Sequence, residues 1–439
     1  MNVNPNPNLC RAVGALALAV SSVAAAAPTP NDAAWQAILR DPSTADVQPI
    51  LLDAGLAKRS NASWADDTLL QLDLGRGRKV EAMRLRSRVT AEGVEVWQGL
   101  VTDTAELKSG ATEIADDPMN SAILVRNGSK ITGSVRVEGQ LYRILPLHDG
   151  TQVAVKVDES RMPPDHPYTY AGGSLSLPDR PYGFRSPRWN WDGGMAERSR
   201  HNEVFGDVTR GGTGPTAVAK ANTVIRVMVV ATQAAASASG DLTGLINLAI
   251  TESNQGYSNS GVQITLQLAG LYTTPYAESG SFSTDLSRFR GTRDGFMDNI
   301  HSLRNQNTAD VAMIVLNNST SCGLASAIGA TATTAFASVS RTCTTGYYSF
   351  AHEIGHLQSA RHDPANDPTN TPYAYGHGYQ SPTKAWRTIM AYNCSPSCPR
   401  INYWSSPLRT YGGQVMGTTT RSDNARVLNN TRATISAFR

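Results

Sequence analysis

The sequence has little net charge and no long basic run. Its 439 residues include 39 Lys and Arg against 36 Asp and Glu, a net charge of +3, and charged residues make up 17% of the chain. No stretch interleaves aromatic with basic residues, a pattern typical of nucleic-acid grooves. The composition is that of an ordinary globular protein long enough for two or three domains, and it does not support a nucleic-acid partner.

Cysteine is also scarce. There are five, and Cys10 lies ahead of an apolar run over residues 12–20 that is followed by a stretch of alanines ending at Pro28. This pattern predicts a secretory signal peptide over residues 1–26. The run is too short to span a membrane stably and no stop-transfer charges follow it, so a retained anchor is the less favoured alternative. We expect a secreted protein that passes through the periplasm, with no stable membrane anchor.

Four cysteines remain after the signal peptide: Cys322, Cys343, Cys394 and Cys398. An even number in an exported chain indicates two disulfides, for which four cysteines allow three pairings. Sequence proximity favours Cys322 with Cys343 and Cys394 with Cys398. A zinc cluster is the rival interpretation, but the spacings lack the paired Cys-x-x-Cys pattern and an oxidising compartment disfavours free thiolates.

The most informative motif is His352-Glu353-x-x-His356, followed by His362. A helix turns about 100° per residue, so His352 and His356 lie on one face and can reach one ion. Zinc accepts imidazole nitrogens, and a catalytic zinc site uses three protein ligands so that the fourth position holds water. His362 is the expected third ligand. Glu353, beside the ion, is the expected general base for peptide-bond hydrolysis.

The three histidines, Glu353 and Met390 in the run 388–392 resemble the metzincin metallopeptidases. The resemblance implies an α/β (α+β) catalytic domain with a mixed, mostly parallel sheet and a zinc helix, and a Met-turn in which Met390 underlies the zinc without binding it. Metzincins have Gly three residues after the second His, whereas this chain has Ser359. Positive φ at a non-Gly residue costs about 1 kcal/mol, so we expect a slightly strained turn and a retained third ligand.

Within the metzincins, three segments are similar to the bacterial peptidyl-Asp metallopeptidases: residues 347–379, 386–394 and 400–405. That resemblance implies cleavage of protein or peptide substrates on the amino side of acidic residues. Tyr392 stands where some metzincins place a tyrosine that touches the zinc or the oxyanion, whereas many others lack it, so Tyr392 is a candidate for that role and a residue without it is the alternative.

The metzincin layout also places the outer wall of the pocket for the acidic side chain after the Met-turn, between residues 393 and 411. A desolvated carboxylate needs a charged donor, and the planar Arg fork matches it bidentately. We expect Arg400 to supply it in preference to Arg409, because the Cys394–Cys398 loop and Pro399 would hold Arg400 rigidly. A solvent-exposed Arg400 is the alternative.

The sequence that precedes the histidine motif indicates a separate folded unit. Residues 27–177 are expected to form a mainly β propeptide, with a short helical segment near residues 34–57 and then a β-meander. Its turn signals, Asn127-Gly128, Glu138-Gly139 and Asp149-Gly150, are eleven residues apart. An independent binding or adhesion domain is the alternative. Residues 178–216, rich in Pro, Gly, Arg and Ser, predict an exposed linker and activation segment.

A zymogen of this type must fill the open position on its zinc. The propeptide has no cysteine once the signal is removed, so we expect a carboxylate ligand. Asp207 and Asp192 in the linker are the candidates for a latency switch, Asp207 being preferred. The alternative is that both are solvated.

Residues 217–439 are expected to form the catalytic domain. Strands over 224–230, 262–271 and 311–316 alternate with a helix capped by Asp241 and with a second helix, which implies a largely parallel sheet. The second helix is marked by Leu286, Phe289, Phe296, Ile300 and Leu303. Residues 335–342 predict a further strand, and by the resemblance it is the edge strand that pairs with substrate along the cleft. An amphipathic helix from about Asp423 closes the chain.

The function predicted from these observations is a monomeric, secreted zinc endopeptidase. The alternatives are a metzincin of broad or apolar specificity, and a non-catalytic secreted zinc-binding or adhesion protein. Glu353 argues against the last, because a structural zinc site closes with a fourth protein ligand and does not use a free carboxylate. In the turn-rich loop 363–370, a calcium site is the alternative to plain solvation.

Overall fold

The computed structural model describes residues 28–29, 31–51, 69–102, 117–167 and 222–439. These residues form an N-terminal antiparallel sheet and a C-terminal unit of mixed α/β content. Among them, no helix combines the length and the apolar character needed to cross a membrane.

The N-terminal unit begins with one short helix and continues as strands. Its elements are α1 (Ala33–Arg40), β1 (Thr44–Ile50), β2 (Leu69–Asp73), β3 (Lys79–Val89), β4 (Glu95–Thr102), β5 (Ser121–Asn127), β6 (Lys130–Val137), β7 (Gln140–Pro146) and β8 (Gln152–Val157). The strands form one eight-stranded sheet in the order β1-β8-β7-β6-β5-β4-β3-β2. Every pair of neighbouring strands is antiparallel.

The tight turns of this sheet lie where the sequence predicts them. Gly128, Gly139 and Gly150 have φ values of 62°, 81° and 88° and connect β5 to β6, β6 to β7 and β7 to β8. Such left-handed conformations suit glycine, which has no Cβ to clash. The helix expected over residues 34–57 is wrong in its extent: α1 ends at Arg40 and β1 follows. Pro49 lacks the N–H that a continuing helix needs, and the edge strand β1 tolerates it.

The C-terminal unit alternates strands and helices before the His motif. Its elements are β9 (Thr223–Thr232), α2 (Gln233–Ser239), α3 (Leu242–Ser260), β10 (Ile264–Thr274), α4 (Phe282–Arg290), α5 (Ile300–Gln306), β11 (Val311–Leu316), β12 (Gly323–Ala325), β13 (Phe336–Ser340), α6 (Ser349–Leu357), β14 (Ser406–Tyr411), β15 (Gln414–Met416) and α7 (Asn424–Ile435). The five-stranded sheet has the order β10-β9-β11-β13-β12. All its pairs are parallel except β12 with β13.

Helices cover both faces of this sheet, so its central strands are apolar throughout. In β9, Val227 and Val229 join the cluster that contains α3 and α6, whereas Met228 and Val230 join the cluster under α4 and α5. Every residue of β11 is buried, as expected for a parallel strand covered on both sides. The Asp241 carboxylate caps α3 by accepting from the Gly244 N–H at 3.0 Å, as predicted.

Two sequence predictions for this unit are wrong. The second helix is broken into α4 and α5, because Gly291 ends α4 and the intervening turn needs positive φ at Arg293, Gly295 and Met297. Strand β13 is not at the edge of the sheet, since β12 pairs along its outer side. The edge strand of the cleft is therefore β12, a strand of three residues that periodicity cannot reveal.

The two units dock closely. Arg136 of β6 is buried, and its Nη2 donates to the Gly346 carbonyl at 2.8 Å and to Glu159 at 2.8 Å. Lys130 Nζ donates to the Gly240 carbonyl at 2.7 Å. This docking carries the end of the N-terminal unit, residues 163–167, across the C-terminal unit.

Candidate active site

Helix α6 carries the first two histidines of the motif, and its residues are all buried. One face of the helix packs closely against Trp404 and Met390. A Cβ added at Gly355 would lie 2.6 Å from the Trp404 ring and 3.1 Å from the Met390 sulfur. Met390 is completely buried there, so the predicted Met-turn residue lies directly beneath the helix. Glycine at position 355 therefore allows the helix to approach these two side chains closely.

The chain reverses after α6 through Ser359, whose φ is 77°. A left-handed turn was predicted here because metzincins have Gly at the position that Ser359 occupies in this chain. The Ser359 and Ala360 N–H groups donate back to the His356 and Gly355 carbonyls at 2.8 and 2.9 Å, which satisfies helix-end carbonyls. The turn places His362 Nε2 3.3 Å from His352 Nε2 and 3.0 Å from His356 Nε2. All three imidazoles predicted as ligands therefore meet.

Backbone carbonyls orient these rings. His352 Nδ1 lies 2.9 Å from the Ile389 carbonyl and His356 Nδ1 2.8 Å from the Ala360 carbonyl. Donation from Nδ1 leaves each Nε2 with a lone pair directed at the shared point. His377 lies next to the third histidine, with its Nδ1 2.8 Å from the His362 carbonyl.

The three donors fit a zinc ion. Zinc–nitrogen bonds are about 2.0–2.1 Å long and tetrahedral, which places ligand nitrogens about 3.3 Å apart. The observed separations of 3.0 and 3.3 Å are close to that value. Burial lowers the pKa of His356 to about 4 and those of His352 and His362 well below 6.5, so all three are neutral, as metal ligands must be.

Glu353 is completely buried beside the histidines. Its Oε1 has no hydrogen-bond partner among the described residues, and its Oε2 lies 3.3 Å from His166 Nε2. Burial raises the pKa of this carboxyl to about 8, a shift that a divalent cation at the histidines would oppose. Gly323 of β12 makes room for the side chain: a Cβ there would lie 2.2 Å from Oε1.

Tyr392 also lies at the cluster. Its ring centroid is 4.3 Å from that of His362, and its hydroxyl is 3.5 Å from His166 Nδ1. Its backbone N–H donates to the Asp363 carboxylate at 2.9 Å. The tyrosine is thus positioned over the third histidine, on the side of the site where His166 enters.

Arg400 is completely buried close to the site, and the exposed alternative is wrong for this residue. Its Nη2 donates to both Asp165 oxygens at 2.7 Å, and its Nη1 donates to the Tyr347 carbonyl at 3.0 Å. The carboxylate is therefore held by one nitrogen of the guanidinium and not by a two-nitrogen fork: Nη1 donates to the backbone, and Nε has no hydrogen-bond partner among the described residues. Asp165 and His166 are adjacent in sequence, so neighbouring residues fill this pocket and contact the histidine cluster.

A second arginine lines the same pocket. Arg387 Nη1 lies 3.9 Å from an Asp165 oxygen, and its Nη2 donates to the Tyr347 hydroxyl at 2.7 Å. The Tyr347 ring lies against both guanidiniums, at 5.1 Å from Arg387 and 4.3 Å from Arg400. Burial alone would raise the pKa of Asp165, but the two arginines hold it below the usual value. The pocket is built for one negative charge.

Sequence reasoning missed Asp165, His166 and Arg387. The Asp-His pair lies in the run Pro163-Pro164-Asp165-His166-Pro167. Zinc accepts imidazole as well as carboxylate ligands. His166 could therefore have been considered as a candidate ligand from the sequence alone.

Other predicted residues are placed as follows. Asp192 and Asp207 lie outside the described residues. The two disulfides, Cys322–Cys343 and Cys394–Cys398, are formed as proximity favoured. In the loop after His362, Asp363 accepts from Asn366 and Tyr392 and Asp367 pairs with Arg361 at 2.8 Å. These carboxylates are used in contacts within the protein.

Three neutral imidazoles that converge on one point, beside a buried carboxylate on the same helix, define the class of this protein as a zinc-dependent metalloendopeptidase. Comparisons with known proteins agree. Residues 221–405 match the model of metallopeptidase family M12, Reprolysin_5.

Two of the relatives match along nearly the whole chain. The peptidyl-Asp metalloendopeptidases of Stenotrophomonas maltophilia (strain K279a) and Xanthomonas campestris pv. campestris are 47% and 46% identical to it, over 98% of this chain and 98% and 99% of theirs. That of Pseudomonas fragi is 52% identical over 43% of this chain and all of its own. The chain belongs to this family of M12 metallopeptidases.

Proposed function

We propose that this enzyme is a secreted zinc endopeptidase that cleaves peptide bonds on the amino side of aspartate. The observation that carries the proposal is the buried contact between Arg400 and the Asp165 carboxylate, one residue away from the histidine cluster. A pocket that already binds an aspartate side chain beside the metal ligands is suited to a substrate aspartate in the same place. The names of the relatives support the same specificity.

His352, His356 and His362 would hold the zinc ion. When bound, zinc lowers the pKa of a water molecule to about 7 and polarises the carbonyl of the bond to be cleaved. Glu353 accepts a proton from the attacking water and passes it to the leaving amine. Its partner-free Oε1, in a pocket closed by Gly323, makes it available for this transfer.

Tyr392 is proposed to stabilise the charge that develops on the carbonyl oxygen. Its ring lies over His362, and its hydroxyl reaches the side of the cluster where His166 now lies. A phenol O–H aimed at a developing oxyanion in a desolvated site typically contributes several kcal/mol to catalysis.

Arg400 is the proposed specificity residue, with Arg387 as a second positive charge. Both guanidiniums are fully buried, so an uncharged side chain in the pocket would leave them without a counter-ion, which is costly in a low dielectric. A metzincin of broad or apolar specificity would need an apolar wall here. A non-catalytic zinc-binding protein would have no use for the carboxylate of Glu353.

The mechanism is tested by Glu353→Ala. We expect the variant to keep one zinc per chain, since the three histidines are unchanged, and to lose about 10³-fold or more in kcat, as general-base removal does. Zinc content is measured by atomic absorption and turnover with a quenched peptide containing Ala-Asp. Parent-like turnover would refute the role of Glu353, and lost zinc would show that the residue is structural.

Export and activation by cleavage form part of the proposal. Residues 1–26 would be removed as a signal peptide, residues 27–177 would form the propeptide and residues 178–216 the segment cut on activation. The N-terminal sequence of the secreted mature enzyme tests this: it should begin within or just after residues 178–216. A monomer without a calcium requirement is expected, which sedimentation and assays in a calcium-specific chelator would check.

A further inference from the structure

The end of the N-terminal unit follows the edge strand of the cleft. The Cys322 N–H donates to the Pro164 carbonyl at 2.8 Å, and the Gly323 N–H of β12 donates to the Asp165 carbonyl at 3.1 Å. Two backbone hydrogen bonds thus hold Pro164 and Asp165 against the start of the edge strand.

His166 completes the histidine cluster. Its ring centroid lies 5.3, 4.9 and 4.7 Å from those of His352, His356 and His362, and the centroids of those three lie 4.7–5.3 Å from one another. The four ligand atoms all lie within 4.8 Å of one another. His166 is therefore a fourth member of this buried cluster, with ring distances in the same range as those among the other three, and it is 4% exposed.

Asp165 fills the adjoining charged pocket, where Arg400 holds both of its oxygens at 2.7 Å. One dipeptide thus occupies both parts of the site: the imidazole takes the position beside the metal ligands, and the carboxylate takes the position proposed for the substrate side chain. His166 Nε2 also lies 3.3 Å from Glu353 Oε2, so the imidazole occupies the space next to the general base.

The segment lies in the cleft in the direction opposite to a substrate. Cleavage before Asp165 would break the Pro164–Asp165 bond, whose carbonyl would have to lie at the metal. That carbonyl instead accepts from Cys322, and the residue on the other side of Asp165 lies among the histidines. The chain therefore presents an imidazole where a substrate presents a carbonyl.

We propose that Asp165 and His166 form an internal ligand that keeps the precursor latent, with His166 as the fourth zinc ligand and Asp165 as a mimic of the substrate aspartate. This inference rests on the proposed function of the site. It replaces the expected carboxylate switch with an imidazole, and it makes the propeptide recognise the same pocket as the substrate.

The test uses the full-length precursor loaded with cobalt(II), whose visible spectrum reports on the coordination of the metal. All samples carry Glu353→Gln, so that the chain stays intact and no turnover is needed. Acetohydroxamate is titrated into the otherwise unchanged precursor, His166→Ala and the control His148→Ala. His148 is a histidine of the same unit that contacts Asp32 on a half-exposed surface.

We expect the precursor and the His148 control to bind acetohydroxamate about 100-fold more weakly than His166→Ala, because the probe must displace an imidazole held at high effective concentration. Asp165→Asn should fall between them, since it weakens the anchor but keeps the ligand. His166→Gln, which keeps a hydrogen-bonding side chain of similar size, should match His166→Ala and replaces it if that variant does not fold.

Equal hydroxamate affinity in the precursor and both His166 variants would overturn the inference while leaving the proposed function standing. Failure of the precursor with His166 intact to bind one cobalt per chain would overturn the proposed zinc site, and the inference with it. Equal affinities in the precursor and Asp165→Asn would remove Asp165 from the internal ligand and leave His166 alone.

Discussion

Replacing Arg400 by Gln should remove the preference for aspartate. The side chain is fully buried and its Nη2 holds two carboxylate oxygens at 2.7 Å, so the interaction is a desolvated, charge-assisted one. Losing the charged partner of a buried carboxylate costs about 3–4 kcal/mol. Since each 1.4 kcal/mol is a factor of ten, kcat/KM for an Asp peptide should fall roughly 100- to 1000-fold.

Arg400 also supports the fold, because it donates to the Tyr347 and Ala391 carbonyls at 3.0 and 3.2 Å. The quantity to measure is therefore the ratio of kcat/KM for two matched peptides, one with Ala-Asp and one with Ala-Asn. General damage to the site would lower both values and leave the ratio unchanged. Loss of the positive charge should lower kcat/KM for the Ala-Asp peptide much more than for the Ala-Asn peptide, and so should lower the ratio.

Two further variants serve as controls. Arg409→Gln changes an exposed arginine of β14 and should leave the ratio as in the parent. Arg400→Lys keeps the charge but loses the planar donor, so it should give an intermediate ratio. A parental ratio in Arg400→Gln would refute the assignment of the pocket, whatever the overall activity.

Three other predictions follow from single contacts. Gly323→Ala places a Cβ 2.2 Å from Glu353 Oε1, so kcat should fall about 10- to 100-fold at unchanged zinc content; full activity would show that the carboxylate can move freely. Ser359→Gly relieves a φ of 77° and should raise the free energy of unfolding in urea by up to about 1 kcal/mol, whereas a decrease would argue against strain. Burial raises the pKa of Glu252 from 4.5 to about 7, so the native state holds a proton there that the unfolded chain releases. Stability should therefore fall by about 3 kcal/mol as pH rises from 4.5 through 7, and Glu252→Gln should flatten that slope in urea titrations; an unchanged slope would contradict the assignment.

The convergence of the three motif histidines was predictable because its information is local. Two histidines one helical turn apart, a third six residues later and a Met-turn downstream all lie within about forty residues. The Asp241 cap and the Gly128, Gly139 and Gly150 turns were predictable for the same reason, since one residue type and its neighbours determine the conformation.

The wrong predictions concern non-local structure. The apolar period from Leu286 to Leu303 continues through a turn, because residues on both sides of the break pack into the same cluster. Strand β12 has three residues, and its edge position depends on pairing with β13. A hydrophobic pattern carries neither kind of information.

The pair Asp165-His166 was missed because it reaches the site from another unit. His166 contacts Glu353 across 187 residues, and Asp165 contacts Arg400 across 235. Arg400 itself could be selected from the sequence, since the Cys394–Cys398 loop and Pro399 precede it. That its Nη1 donates to the Tyr347 carbonyl could not be predicted, because only the folded backbone places that carbonyl there.

The most direct test of the account is to map cleavage sites. The mature enzyme is incubated with a library of peptides of varied sequence, with and without a zinc chelator, and the new N-termini are identified by mass spectrometry. We predict that most new N-termini begin with Asp and that the chelator abolishes them. New N-termini dominated by bulky apolar residues, or cleavage that persists in the chelator, would contradict the account.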